Sequence, residues 1–101
     1  MVFIYTTCEN EQEAERLAKL ILDNRLGACV DYWAVNSMYH WEGELKKLSQ
    51  IMILITTLES KLEDVNEIIS KNHTYSVPLI AGVDIRRMNR AYKTWMGGQI
   101  E

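Results

Sequence analysis

Ser37-Met38-Tyr39-His40-Trp41-Glu42-Gly43-Glu44-Leu45 lies between two strand-like runs, Ala28 to Val35 and Ile51 to Thr57, and its reading decides the fold. Tyr39 and Trp41 stand two apart with polar His40 between them, which is the alternation of a strand. Glu42-Gly43 is a natural tip, because glycine takes the positive φ that a tight hairpin turn needs. Residues 28–57 are therefore expected to form one β-ribbon. Each arm has about 14 residues, or roughly 45 Å of strand. A domain of this size has a radius of gyration of about 13 Å and so a diameter of roughly 33 Å. The ribbon outruns its own core, and it carries Tyr39, Trp41 and Leu45 near its tip. A projecting two-stranded ribbon is marginal alone, and its unpaired edges invite pairing. Neighbouring subunits are expected to cover it in a closed ring; a bent or disordered tip loop is the alternative. The pattern does not distinguish a dimer from a trimer.

Outward from the ribbon, Val2 to Thr7 is β-branched and aromatic, as strands are. Asn10 can cap a helix, and Glu13, three positions on, can reach back to its amide. Ala14, Leu17, Ala18, Ile21 and Leu22 then repeat along one helical face, and Gly27 offers a stop. A second helix is expected from Ser60, with Glu63 completing a capping box and Leu62, Val65, Ile68 and Ile69 as its apolar face. His73 to Pro78 reads as a turn into a last strand at about 79–85, before a short closing helix with Tyr92, Trp95 and Met96. The order β-α-β-β-α-β with right-handed crossovers gives a ferredoxin-like α/β (α+β) sandwich: one four-stranded antiparallel sheet with both helices on one face.

At 101 residues the chain has room for a single domain, 1–101, and for a true core without disulfide or metal. A net charge of −3 and a pI near 5.4 give no basic footprint for nucleic acid. The longest apolar stretch, Ile51 to Ile55, is too short to span a bilayer. The first five residues read as a strand and not a signal peptide, so the expected location is cytoplasmic. Cys29, within Ala28-Cys29-Val30, reads as a buried small hydrophobe. Cys8 follows a strand and reads as the more exposed of the two, with no neighbouring base to activate it.

Four segments resemble the CutA divalent-cation tolerance family. Asn24-Arg25-Leu26-Gly27-Ala28-Cys29-Val30 is similar to its RLAACV segment, and residues 37–45 resemble its S-x-Y-x-W-E-G-x-L hairpin. His73-Thr74-Tyr75-Ser76-Val77-Pro78 resembles its H-P-Y-x-x-P turn, and Tyr92-Lys93-Thr94-Trp95-Met96 its Y-x-x-W-L ending. The resemblance covers essentially the whole chain. It implies a ferredoxin-like subunit assembled as a stable homotrimer, similar in architecture to the PII signalling proteins. It also implies a role in tolerance of divalent metals, copper above all, and no enzymatic activity.

The chain departs from the family pattern where a metal site would be sought. Leu79 stands in place of a Glu after the turn proline, Ile55 in place of a strand Lys, and Thr74 in place of a Pro. Thr6 stands where some members carry a Cys. His73 is the candidate metal ligand, for copper or another divalent ion, because imidazole suits Cu(II) and Zn(II). A site needs two to four converging ligands, and His40, Cys8 or Glu42 could join it across a subunit boundary. The other reading of His73 is a turn histidine bonded to a backbone carbonyl. Tyr39, Trp41, Glu42, His73 and Tyr75 are the candidates for a cleft or interface between subunits. Lys46 and Lys47 read as a solvated hairpin face, and the methionines as packing filler. Three functions follow: a trimer of the tolerance type with metal or small-ligand clefts, a trimeric scaffold working through a protein partner, and an acylphosphatase-like enzyme. The last needs an Arg in a phosphate-cradling loop, where this chain has Cys8-Glu9-Asn10.

Overall fold

The computed structural model describes residues 1–100. β1 (Val2–Cys8) leads into α1 (Glu11–Asp23), β2 (Cys29–Trp41) and β3 (Glu44–Thr57). A 3₁₀ turn at Glu59–Lys61 precedes α2 (Leu62–Asn72), β4 (Ala81–Asp84) and α3 (Arg90–Gln99). The sheet order is β2-β3-β1-β4, with antiparallel neighbours throughout. This is the ferredoxin-like sandwich.

Alternation along β1 sorts the sheet into two faces. Val2, Ile4 and Cys8 pack with Ile53 and Ile55 of β3 against Ala14, Leu17 and Ile21 of α1 and Val65 and Ile69 of α2. All are essentially buried, so one helix-covered face holds the core. The opposite face carries Phe3, Tyr5, Trp33, Met52 and Leu54. α3 closes only its far end, where Met96 packs on Ala28 with Met1, Leu58, Met88 and Tyr92 around them.

The ribbon is continuous. β2 and β3 pair without interruption from Cys29↔Thr56 to Trp41↔Glu44, leaving Glu42-Gly43 as a two-residue loop. Both loop residues have positive φ, 50° and 81°, as a type I′ hairpin requires. The molecule extends 46 Å along its long axis against 25 and 21 Å across, with a radius of gyration of 14.3 Å. The excess over the compact value of about 13 Å is the projecting ribbon. Met38, Tyr39, Trp41, Leu45 and Leu48 are exposed on it, on both faces.

Four local expectations are corrected. α1 ends at Asp23, and Arg25 rather than Gly27 takes the left-handed conformation. Gly27 instead serves close packing: a Cβ there would lie 3.0 Å from Ile21 Cγ2 and 3.1 Å from Ile55 Cγ2. Ser60 does not cap α2, because the 3₁₀ turn absorbs it and the helix begins at Leu62 with no side-chain cap. β4 starts at Ala81, not residue 79; beyond Tyr5 the strand β1 has no β4 partner, and the Thr7 carbonyl bonds the His73 ring instead. The cysteines exchange roles. Cys8 points into the core and is fully buried, whereas Cys29 faces α3 and is only partly covered.

Asn10 caps α1 as expected, its side chain accepting from the Glu13 amide at 2.9 Å. The Glu13 carboxylate, however, turns to Arg16 at 2.7 Å. Among the described residues no helix is long and apolar enough to cross a membrane.

Candidate functional site

A groove of about 660 Å³ runs along the open face of the ribbon, where residues 75–79 fold back over β1 and β3. Cross-strand register builds its floor. Ser37 sits opposite Leu48 and Tyr39 opposite Lys46, and Thr7 lies beside Met52. Tyr75, Val77 and Leu79 form the overhanging wall, and Tyr39 and Trp41 stand at the outer end. Three of the five expected cleft residues, Tyr39, Trp41 and Tyr75, therefore meet here. Glu42 does not line it: it is the first turn residue at the exposed tip.

His73 stands behind the wall and fixes it. Its Nε2–H donates to the Thr7 carbonyl at 2.7 Å, and its Nδ1 accepts from the Tyr75 amide at 3.0 Å. That pair of partners sets the neutral tautomer with the proton on Nε2. The rings of His73 and Tyr75 sit 4.8 Å apart, tilted by 41°. The Tyr75 hydroxyl then donates to Gln50 Oε1 at 2.8 Å, tying the loop to β3. Burial pushes the Tyr75 phenol above its ordinary value, so it stays a donor. His73 is thus the turn histidine bonded to a backbone carbonyl.

The sequence reading missed Gln50 and Lys46. Gln50 is 7% exposed, a polar side chain held at the groove floor. Lys46 lines the groove, with Nζ 3.1 Å from Glu44 Oε2, rather than standing free on a solvated face. The signal was available. Once Glu42-Gly43 is the loop, parity places Lys46, Leu48 and Gln50 on the face of Tyr39 and Trp41.

Comparison with known proteins places this geometry. The model of the CutA1 divalent ion tolerance protein family matches residues 2–99. The chain belongs to that family. The divalent-cation tolerance protein CutA of Archaeoglobus fulgidus is 30% identical over 98% of this chain and 97% of its own. A crystal structure of CutA1 from Pyrococcus horikoshii superposes with a TM-score of 0.97 at 29% identity, covering 100% of this chain and 99% of that one. The Archaeoglobus fulgidus structure, described as a periplasmic divalent cation tolerance protein, gives 0.96 at 30% identity with full coverage of both chains.

The metal that the CutA1 family name suggests does not fit the residues around His73. Nε2 carries a proton and the Nδ1 lone pair is occupied, so neither nitrogen offers a lone pair as folded. Cys8 is buried, donates to the Asn10 carbonyl at 3.4 Å, and is held protonated by that burial. Among the described residues no three His, Cys, Asp or Glu side chains gather at metal-binding distance.

Proposed function

We propose that this CutA1 chain works in divalent-cation tolerance as a non-enzymatic homotrimer in the cytoplasm, with clefts beside its ribbons that take a small ligand. The observation that carries this reading is the ribbon itself. It projects along the 46 Å axis, exposes Met38, Tyr39, Trp41, Leu45 and Leu48, and leaves the 13-residue outer edge of β2 unpaired. Long exposed apolar edges are a liability that a closed ring removes. The partner is then another copy of the chain, and the net charge of −3 favours neither nucleic acid nor an anionic membrane.

Direct coordination of copper or another divalent ion at His73 would require breaking the Tyr75 amide bond to Nδ1. That cost favours a second reading, a trimeric scaffold that acts through a protein partner with metal binding lost. Titration of Cu(II) and Zn(II) into wild type and His73→Ala separates the two: saturable micromolar binding that His73→Ala abolishes restores the metal site. Sedimentation tests the assembly. A single species at monomer mass, at micromolar concentration, defeats the proposal.

A further inference from the structure

A concentrated positive patch lies at the end of the molecule away from the ribbon tip. Ile85-Arg86-Arg87-Met88-Asn89-Arg90-Ala91-Tyr92-Lys93 carries 4 of the chain's 11 Lys and Arg and no acid. The remaining 7 stand against 14 Asp and Glu. A run of one sign on an otherwise acidic protein draws anions to that spot and nowhere else.

Packing holds the run in place and turns its cations outward. The Ile85 amide donates to the Met1 carbonyl at 3.0 Å, and Met88 and Tyr92 pack on Ala28, Met96 and Ile100. This is the end of the sheet where Val2 meets Thr57 and Asp84, whereas the ribbon departs beyond Cys8↔Ile51. Arg86, Arg87, Arg90 and Lys93 fall between the anchors, and all four are exposed. Among the described residues, every ion pair and every side-chain hydrogen bond from a Lys or Arg uses Arg16, Lys19, Lys46 or Lys71. Asp84 precedes the run and Asp31 lies near Tyr92, yet neither engages any of the four.

Extent selects the partner. A DNA duplex carries one charge per about 1.7 Å of its axis, and an anionic bilayer is a continuous sheet of charge. Either would run past the patch and meet the acidic remainder of the surface. A short acidic stretch of protein can end where the patch ends. Three of the four cations are Arg, whose planar fork takes a carboxylate through two parallel bonds.

Resting on the scaffold reading above, we propose that residues 86–93 dock a short acidic segment of a partner protein. Its Asp and Glu carboxylates take the guanidinium forks of Arg86, Arg87 and Arg90 and the ammonium of Lys93.

The test is fluorescence anisotropy of full-length protein with a labelled peptide of four Glu-Ser repeats. Its Gln-Ser counterpart, a labelled single strand of thymidylates and vesicles containing phosphatidylserine are compared with it. The Glu peptide is expected to bind saturably, at least about 10-fold tighter than the Gln peptide, and to weaken as salt rises; each exposed pair contributes a factor of roughly 1.5 to 5. Arg87→Gln with Arg90→Gln should weaken it by about 3- to 20-fold. Arg87→Lys with Arg90→Lys keeps the charge and should stay within about 3-fold of wild type. Lys19→Gln with Lys71→Gln removes the same net charge from exposed helix positions and should change binding by less than about 2-fold. Circular dichroism and sedimentation matching wild type keep each variant interpretable. Equal binding of the two peptides, equal loss in the patch and control variants, or tighter binding of the thymidylate strand or the vesicles overturns the inference. So does the absence of saturable binding by the Glu peptide. None of these results touches the scaffold reading, which falls separately if the Cu(II) or Zn(II) titration restores the metal site at His73.

Discussion

Removing the His73 ring tests whether it is a latch or a ligand. In protein stripped with EDTA, His73→Ala is expected to destabilise the fold by about 2 kcal/mol. Two hydrogen bonds are lost, at 2.7 Å to the Thr7 carbonyl and 3.0 Å from the Tyr75 amide. Each has a net worth of about 1 kcal/mol. Both bonds are only part-buried, so water can replace the ring and the larger penalty of sealed orphans does not apply. Loss of the ring contact with Tyr75 adds up to about 1 kcal/mol. With a urea m-value of about 1–3 kcal/mol/M, the midpoint should fall by roughly 1 M at fixed protein concentration. His73→Asn restores an acceptor for the Tyr75 amide and should recover about half of the loss. Coincident wild-type and His73→Ala curves in EDTA, with a gap that opens only on adding Cu(II) or Zn(II), would refute the latch.

Gly27→Ala forces a methyl within 3.1 Å of two core isoleucines and should cost about 1–3 kcal/mol in urea unfolding; a stabilised variant would contradict the packing described. Glu42 holds a left-handed conformation that favours Asn before Gly, so Glu42→Asn should raise stability by about 0.5–1 kcal/mol without changing the sedimenting species. Burial raises the Cys8 thiol and the Tyr75 phenol above their ordinary values, so above about pH 8.5 the unfolded chain releases protons first. Stability should thus be full at neutral pH and decline as pH rises from about 8.5 through the raised folded values. Urea midpoints at three alkaline pH values check this, and a flat profile would be inconsistent with it. Tyr39→Ala with Trp41→Ala should shift the sedimenting species toward monomer; an unchanged oligomer would remove those two anchors from the interface.

Much of the architecture was legible in local pattern. Period-two alternation around Tyr39 and Trp41, glycine at 43, and the helical repeat from Ala14 to Leu22 are properties of neighbouring residues. They specified the element order, the two-residue tip and a ribbon longer than its core. The same parity, carried across the turn, was enough to put Lys46 and Gln50 beside Tyr39, although charge at the hairpin end suggested a merely solvated face. Helix ends were less legible. Arg25 takes the left-handed position because the chain must turn toward β2 before Gly27 slides under Ile21 and Ile55, a contact set by residues far apart in sequence.

The site divides in the same way. The sequence by itself determined which residue types were present: an aromatic tip, one turn histidine, and Leu79 instead of a carboxylate directly after Pro78. Only the tertiary structure decided what surrounds them. Whether His73 ligates a metal or holds a loop depends on where its two ring nitrogens point, and those are engaged by Thr7, 66 residues away, and by Tyr75. Cys8 and Cys29 traded burial for the same reason, since a side chain's exposure is fixed by which face of the sheet the helices cover. Short-range pattern governs conformation, whereas hydrogen-bond satisfaction and burial are set by groups that meet only after the chain has folded.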